Sequence, residues 1–480
     1  MAVPIVLRDR VRVSLASLPR ATHMRLQSEF EHANPGYAMM RRIGRGWWNE
    51  PKTITTWRET PDGHVELPRG GLQRVRNVLW RDGLDWVLDD QRSTGEGPAG
   101  LIPPHKMTLW MHQAEMVAAG LEHQNCILRV PTGGGKTSAL FALASKINLA
   151  TLVVVPTSGL FKQWRDRAQV ELGMPKGDVG YIHEGRVDLA PLTIALQPSL
   201  VAALRDPERA EKVVPYFGTV LCDEVQFFAA DTFFDAVDPF PAKYRIGTSA
   251  DHRRKDRKEF LVHDLFGAVA LDVPRDQLVE SGIILDVEMR VLPTSFRADW
   301  YGLDKDLDFG SLVKEMAADD ARTDVMVDAI VKEAKAGSVC LVCAHHVEHC
   351  RRFAQRVQDR GLSVGLLLGG KEESAEFDRT KRRLSNGEIQ VAVGTYKATG
   401  TGIDIPRVDV VAALTPVAAN EQAVNQLRGR ACRRGKASAR MYYLLDEAVY
   451  PRHLSNLTRW CPGALIHQGD EWVPAKKRRR

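Results

Sequence analysis

Nine consecutive residues, Arg129-Val130-Pro131-Thr132-Gly133-Gly134-Gly135-Lys136-Thr137, carry the first sign of chemistry. The apolar run Cys126-Ile127-Leu128 before them reads as a short buried strand, and Ser138 to Ala144 after them reads as a helix. Strand, glycine loop and helix in that order are the context of a phosphate-binding loop. Gly133, Gly134 and Gly135 let the backbone close around phosphate oxygens, since no Cβ stands in the way. The helix start adds free N–H groups and the positive end of a dipole. Lys136 would reach the β- and γ-phosphates, and the Thr137 hydroxyl would ligate Mg²⁺. Val130 stands where the strict spacing has glycine, so the loop is a relaxed variant.

Two further groups suit the same chemistry. Thr219-Val220-Leu221-Cys222 ends in Asp223-Glu224, two carboxylates at the tip of an apolar strand. Ligands of doubly wound sheets bind beyond the carboxyl ends of the strands. There Asp223 would hold Mg²⁺ and Glu224 would act as general base for an attacking water. Gln426-Leu427-Arg428-Gly429-Arg430-Ala431-Cys432-Arg433 puts Arg430 and Arg433 three apart, on one helix face. They could supply the positive charge that phosphoryl transfer needs, or form a solvated basic face. Gly429, which costs about 1 kcal/mol inside a helix, suits close approach to another domain.

The elements around these residues alternate. Apolar runs at Ala150–Val155, Leu192–Leu196, Thr219–Cys222 and Tyr244–Ser249 predict buried parallel strands with helices between them. Thr108 would cap a helix over Leu109–Ala119, and Thr157 one holding Leu160, Phe161 and Trp164. A second cycle starts near Val273, with strands at Ser338–Ala344, Ser363–Leu368, Ile389–Thr395 and Val408–Leu414. The fold class is α/β: two tandem domains of parallel sheet covered on both faces, over 101–272 and 273–450, with a basic tail over 451–480.

Residues 1–100 form a small α+β module. Val11, Val13 and Leu15 alternate as in a strand, Pro61-Asp62-Gly63-His64 reads as a turn between strands, and Leu72–Leu79 as an amphipathic helix. Arg41, Arg42 and Arg45 lie beside Trp47 and Trp48. Guanidinium for phosphate and indole for stacking suit a nucleic-acid surface; the alternative is that Trp47, Trp48 and Trp57 are the core of a small domain. Gln91–Gly100, rich in Gly, Ser and Thr, reads as a linker.

Composition is compatible with this picture. The chain has 480 residues, 44% hydrophobic and 26% charged, with a formal net charge of +6, which suits a polyanion partner. Seven cysteines in such a length make no disulfide framework and suit a reducing compartment. The first 18 residues mix charges with apolar residues and contain no signal-peptide core. No apolar run nears the ~18 residues of a membrane span. These features predict a soluble, cytoplasmic protein that uses no membrane.

Taken in order, the motifs resemble those of superfamily 2 helicases over residues 105–450. Gln113 resembles the adenine-reading glutamine, and Pro131 through Thr132 to Thr137 resembles motif I. Pro156-Thr157 with Gln163-Trp164 resembles motif Ia. Asp223-Glu224-Val225-Gln226 resembles motif II, and Gly247-Thr248-Ser249-Ala250 motif III. Gly394-Thr395 through Gly402-Ile403-Asp404 resembles motif V, and Gln426, Gly429, Arg430 and Arg433 match motif VI. Arg253-Arg254-Lys255-Asp256, Asn34-Pro35-Gly36-Tyr37 and Leu67-Pro68-Arg69-Gly70 resemble the XPB-like and UvsW-like branch. Gln226 stands where that branch has histidine, and Asp251 where threonine closes Ser-Ala-Thr.

The resemblance implies two RecA-like domains with ATP and Mg²⁺ between them. Pro131, Thr132, Gly402 and Asp404 would line the ATP site, while Gln226, Thr248, Ser249 and Gln426 would couple hydrolysis to movement. Thr157 and Thr395 would touch backbone phosphates. The implied activity is an ATP-dependent DNA helicase or translocase on single-stranded, forked or branched DNA in repair, recombination or replication. The host would be a bacterial or phage-infected cell. The alternatives are an RNA helicase and a double-strand translocase subunit of a restriction or defence complex. Cys340, Cys343, His345, His346, His349 and Cys350 crowd together with a zinc-like spacing. Cys340 and Cys343 lie along one strand with side chains on opposite faces, so zinc is not assigned.

Overall fold

The computed structural model describes residues 2–44, 46–228, 230–250, 256–301, 309–369, 374–399, 407–416, 439–461 and 463–475. It divides into two compact units, Met1–Pro131 with Gly135–Pro274 and Thr132–Gly134 with Arg275–Arg480. Among the described residues no helix is long and apolar enough to cross a membrane.

The first unit begins with strands β1 (Val3–Leu7) and β2 (Arg10–Ser14). Two short strands follow, β3 (Glu31–Ala33) and β4 (Thr53–Thr55), which pair with each other. Next come β5 (Arg58–Thr60), β6 (His64–Pro68) and β7 (Trp86–Asp90). The main sheet has the order β5-β6-β2-β1-β7, antiparallel except for β1 against β7. Alternation decides its faces: Ile5, Leu7, Val11, Val13, Val65 and Leu67 point into one core with Phe30, Val75 and Leu79. Val75 and Leu79 come from the helix Leu72–Arg81. Trp57 packs half-buried against this core, whereas Trp48 is exposed. Of Arg42 and Trp47 only the backbone is described, Arg45 lies outside the described residues, and Arg41 is exposed.

The larger sheet of this unit uses β8 (Asn125–Arg129), β9 (Thr151–Val155), β10 (Gly180–His183) and β11 (Arg186–Asp188). It is completed by β12 (Leu192–Leu196), β13 (Thr219–Cys222), β14 (Tyr244–Ser249) and β15 (Val269–Asp272). The order is β11-β10-β12-β9-β13-β14-β8-β15. Only β11 runs antiparallel to its neighbour. Helices cover both faces, so its strands are continuous apolar runs. The helix before β8 runs from Met111 to His123, and Thr108 does not cap it. Instead Trp110 holds the cap position and its N–H donates to Gln113 Oε1 at 2.9 Å.

The N-terminal sheet and the larger sheet share one buried polar seam. The Arg10 guanidinium pairs with Asp238 and with the Thr56 carbonyl. Arg69 donates to Asn125 Oδ1 at 2.7 Å and to the Ala242 carbonyl at 2.6 Å. Asp264, fully buried, accepts from Thr56 Oγ1 at 2.6 Å, lies 2.9 Å from His32 Nε2 and pairs with Arg74. Gly70 is required here, because a Cβ on it would lie 2.3 Å from the Gly267 backbone nitrogen. Gln91–Gly100 is correspondingly a strap and not a loose linker. Ser93 bonds to Pro241 and Lys243, Glu96 to Pro215, Gly97 to Tyr216 and Gly100 to Asn148. Its small residues serve close backbone contact, and composition alone cannot tell that from mobility.

The second unit holds β16 (Val287–Pro293), β17 (Cys340–Ala344), β18 (Val364–Leu367) and β19 (Val391–Thr395). The remaining strands are β20 (Val410–Ala413), β21 (Ala439–Leu445), β22 (Leu465–Gln468) and β23 (Glu471–Pro474). Their order is β18-β19-β17-β20-β21-β16-β22-β23. Both large sheets are parallel in their interior and flanked by helices, as tandem RecA-like domains are. The β22–β23 hairpin corrects the expectation of a basic tail from 451 onward. It extends the sheet, and its Trp472 meets Tyr442 edge to face with the Arg290 guanidinium 5.1 Å from the Trp472 ring. A fully buried Arg322–Asp446 pair, at 2.8 and 2.9 Å, ties the helix Asp320–Lys335 to the end of β21. Cys343 Sγ lies 3.4 Å from Thr399 Oγ1, while Cys340 Sγ faces the Ser338 carbonyl.

Candidate nucleotide-hydrolysis site

Register places three motifs side by side. β13 pairs β14 with Cys222 opposite Gly247, and β14 pairs β8 with Ser249 opposite Arg129. The residues that follow or end these strands, Asp223-Glu224, Thr248-Ser249 and the glycine loop, therefore meet at one sheet edge.

Pro131, Thr132, Gly133 and Gly134 connect β8 to the helix Lys136–Ile147, with Gly133 at φ +90° and Gly135 at φ +76°. Val130 is buried; its N–H donates to the Ser249 carbonyl, and its own carbonyl accepts from Lys136 Nζ at 3.3 Å. The departure from glycine therefore falls on a residue that packs inward. Gly135 is favoured by its left-handed backbone at φ +76°, and a Cβ there would press on Gln113 Nε2. That amide donates to the Gly135 carbonyl at 3.0 Å, so both polar ends of Gln113 are occupied, one by the loop and one by its own helix start.

Lys136 is buried with Nζ 3.1 Å from Glu224 Oε1. Asp223 Oδ1 accepts from Thr248 Oγ1 at 2.8 Å. Its Oδ2 accepts from Trp164 Nε1 at 3.0 Å and lies 3.5 Å from the Thr137 hydroxyl. Burial, then the Glu224 carboxylate, push the Asp223 carboxyl above the usual carboxylate range, against the pull of Lys136, Thr248 and Trp164. Gln226 donates to Glu224, and Ser249 Oγ donates to Gln226 Oε1 at 2.6 Å. Glu224 itself sits in the left-handed region at φ +56°, a conformation that costs a non-glycine residue about 1–2 kcal/mol. Such strain concentrates at functional sites.

Two carboxylates thus share one buried lysine, with two hydroxyls beside them. A divalent cation fits this set: the carboxylate with the raised pKa lacks a full counter-charge, and Thr137 and Asp223 are oxygen donors of the hard type that Mg²⁺ takes. Trp164, which the sequence placed in the helix after Thr157 and in the resemblance to motif Ia, was not foreseen as a partner of Asp223. Its one signal was an indole N–H on the buried face of that helix, where a donor needs a partner. A second cluster was also missed. Glu171, buried, accepts from Ser138 Oγ at 2.7 Å, faces His105 Nε2 at 2.7 Å and pairs with Arg167. It fastens the helix after the loop to the helix Ser158–Glu171. Burial opposes its charge, but Arg167, Ser138 and His105 hold its carboxyl below the usual range.

Two further candidate residues accept hydrogen bonds from nearby backbone N–H groups. Thr157 caps the helix Ser158–Glu171, accepting from the Leu160 N–H at 3.3 Å. Thr395 ends β19 and accepts from the Ala398 N–H at 3.2 Å. Gly402, Asp404, Gln426, Arg430 and Arg433 lie outside the described residues, as do Asp251 and Arg253-Arg254-Lys255.

Comparison with known proteins adds family information. Residues 321–435 match the helicase conserved C-terminal domain, and residues 106–254 match the family described as type III restriction enzyme, res subunit. The DNA 3'-5' translocase XPB2 of Sulfurisphaera tokodaii is 30% identical over 194 residues, 40% of this chain and 42% of that protein. The DNA 3'-5' helicase XPB of Kineococcus radiotolerans is 25% identical over 407 residues, 81% of this chain and 69% of that protein. The chain spans about half the length of the first relatives it matches. Among solved structures, S. cerevisiae Dbp5 bound to RNA and ADP BeF3 has a TM-score of 0.55 at 14% identity, covering 78% of this chain and 90% of that one. That likeness concerns the fold.

Proposed function

We propose that this chain, which resembles the XPB-like branch of superfamily 2 helicases, is an ATP-driven DNA translocase or helicase. The observation that carries the reading is the paired geometry of Lys136–Glu224 and Asp223–Thr248–Trp164 at the carboxyl edge of a parallel sheet.

Lys136 exchanges its Glu224 partner for the β- and γ-phosphates as ATP enters. That exchange frees Glu224 to take the proton of the attacking water. Mg²⁺, held by Asp223 and Thr137, would neutralise charge on the phosphates. Thr248 and Trp164 keep the Asp223 carboxylate aimed, and Gln226 with Ser249 holds Glu224 on its other side. Arg430 and Arg433 supply further positive charge to the γ-phosphate, a role that rests on their spacing.

The DNA reading is supported by the XPB-named relatives. Thr157, Thr395 and the Arg41–Trp48 segment contact the strand, mainly through phosphates and so without sequence preference. Turnover of ATP with single-stranded DNA, duplex, forked DNA and RNA tests the reading. Stimulation by DNA supports it, stimulation by RNA alone replaces it with an RNA helicase, and stimulation by duplex without strand separation leaves a double-strand translocase.

A further inference from the structure

At the far edge of the first unit's large sheet, separated from β8 by β14, β13, β9 and β12, the β10–β11 hairpin lies against the helix Ser158–Glu171. Between them opens a groove of about 420 Å³ lined by Phe161, Arg165, Tyr181, His183, Glu184 and Arg186. Phe161 and His183 stack with centroids 4.6 Å apart and planes 19° off parallel. The Arg165 guanidinium lies 4.9 Å over the Tyr181 ring and 5.9 Å from Phe161. Among the described residues Arg165 makes one hydrogen bond, to the Lys176 carbonyl at 3.2 Å, and its buried Nε has no partner.

Charge separates this groove from another of similar size. In the groove of about 440 Å³ beside the N-terminal sheet, Arg10 is matched by Asp238 and Arg58 by Glu66. Here, among the described residues, neither Arg165 nor Arg186 has an ion pair, and the one acid, Glu184, is turned to solvent 3.9 Å from His183. Three aromatic rings with two unmatched guanidinium groups suit a ligand that is planar and anionic at once. Location narrows it further. β10 runs parallel to β12, so His183 lies at the carboxyl edge of the sheet, and Phe161 sits one turn beyond Thr157, to whose carbonyl its N–H is bonded.

We infer that this groove receives one nucleotide of a single strand, its base against the aromatic rings and its phosphate drawn by Arg165 and Arg186. The inference rests on the nucleic-acid reading above and adds a stacking subsite to it. The same chemistry could come from a free nucleotide, so the test separates the two sources.

The full chain is irradiated with an oligonucleotide containing 5-iododeoxyuridine, and the adduct is mapped by mass spectrometry. The adduct should fall on the peptide containing Tyr181 and His183, and excess AMP should not compete. Tyr181→Ala and Arg186→Ala should each weaken oligonucleotide binding about fivefold or more, at the lower end of what one stacked base contributes. Both should keep the wild-type melting temperature, and Tyr181→Phe should bind as wild type. Arg186→Ala should also flatten the log–log salt slope by about 0.7. Binding within twofold of wild type in both alanine variants, in a protein whose ATP turnover the same strand still stimulates, overturns the subsite and leaves the function standing. AMP competing while the adduct maps elsewhere assigns the groove to free nucleotide and overturns the strand reading. A wild-type chain that neither binds the oligonucleotide nor is stimulated by it overturns both.

Discussion

Trp164 donates its indole N–H to Asp223 Oδ2 across 3.0 Å, from the buried face of a helix to the residue that follows β13. A hydrogen bond to a charged acceptor contributes about 1.5–3 kcal/mol. Trp164→Phe keeps the ring that packs on Phe141 but deletes the donor. It should raise the Mg²⁺ concentration needed for half-maximal turnover and lower the melting temperature by a few degrees. An unchanged Mg²⁺ dependence would remove Trp164 from the site.

Asp223 gives a stability effect of opposite sign to its catalytic one. Its carboxyl is pushed up in the folded chain by burial and by Glu224. A group raised on folding contributes its full stability below the unfolded value, about pH 3.9, and loses it as pH rises through the folded value. Asp223→Asn should therefore melt higher than wild type at neutral pH without nucleotide, the gain fading below about pH 4. ATP turnover should be lost in the same variant. Equal melting curves at pH 7 would contradict the assignment.

Glu224→Gln should leave ATP binding nearly intact and lower turnover at least about 10²-fold, the usual scale for a lost general base. Lys136→Ala should weaken binding itself. Wild-type turnover in the glutamine variant would sink the base assignment.

Gln226 bridges Glu224 to Ser249. Gln226→Ala should keep basal turnover within a few fold and lose most of its stimulation by DNA. A variant with stimulation intact would make the bridge structural.

Asp264 serves the seam between the N-terminal sheet and the large sheet. Removing one partner of a buried ion pair costs about 3–5 kcal/mol, so Asp264→Ala should lower stability to urea by that order at pH 7. Burial opposes the charge on Asp264, but His32, Arg74 and Thr56 hold its pKa down. A group lowered on folding gives stability that is present above the unfolded value and lost as pH falls through the folded one. The gap between wild type and variant should thus narrow in acid below about pH 4. A chain beginning at Leu101 leaves Asp264 without His32 and Arg74 and leaves Asp238 without Arg10. It should melt earlier than the full chain, and a matching melting temperature would contradict the seam.

The large parallel sheets were legible because strands covered on both faces must be continuous apolar runs, as in Leu152–Val155 and Leu341–Val342. The meeting of the glycine loop with the Asp223-Glu224 pair was legible because residues at the carboxyl ends of neighbouring parallel strands lie side by side. Trp164 was not, since a tryptophan on a buried helix face looks like core until its N–H finds an acceptor. The polar seam was not either. Arg10, Arg69 and Arg74 lie far in sequence from Asp238, Ala242 and Asp264, and each alone reads as a surface charge. The β22–β23 hairpin hid behind the basic residues after it, although Leu465-Ile466 and Trp472-Val473 flank Gly469 as hairpin strands would.

The strap and the seam have a consequence for measuring motion. Ser93, Glu96 and Gly97 are hydrogen-bonded to the large sheet's unit, and Arg69 reaches across to Ala242. No slack joint separates the N-terminal sheet from β8–β15. A fluorophore placed on Trp48's exposed turn and another on the outer face of the helix Ser158–Glu171 should keep one separation through the whole ATP cycle. The N-terminal sheet is therefore a fiducial mark, the fixed point against which displacement of any other part of the chain can be read.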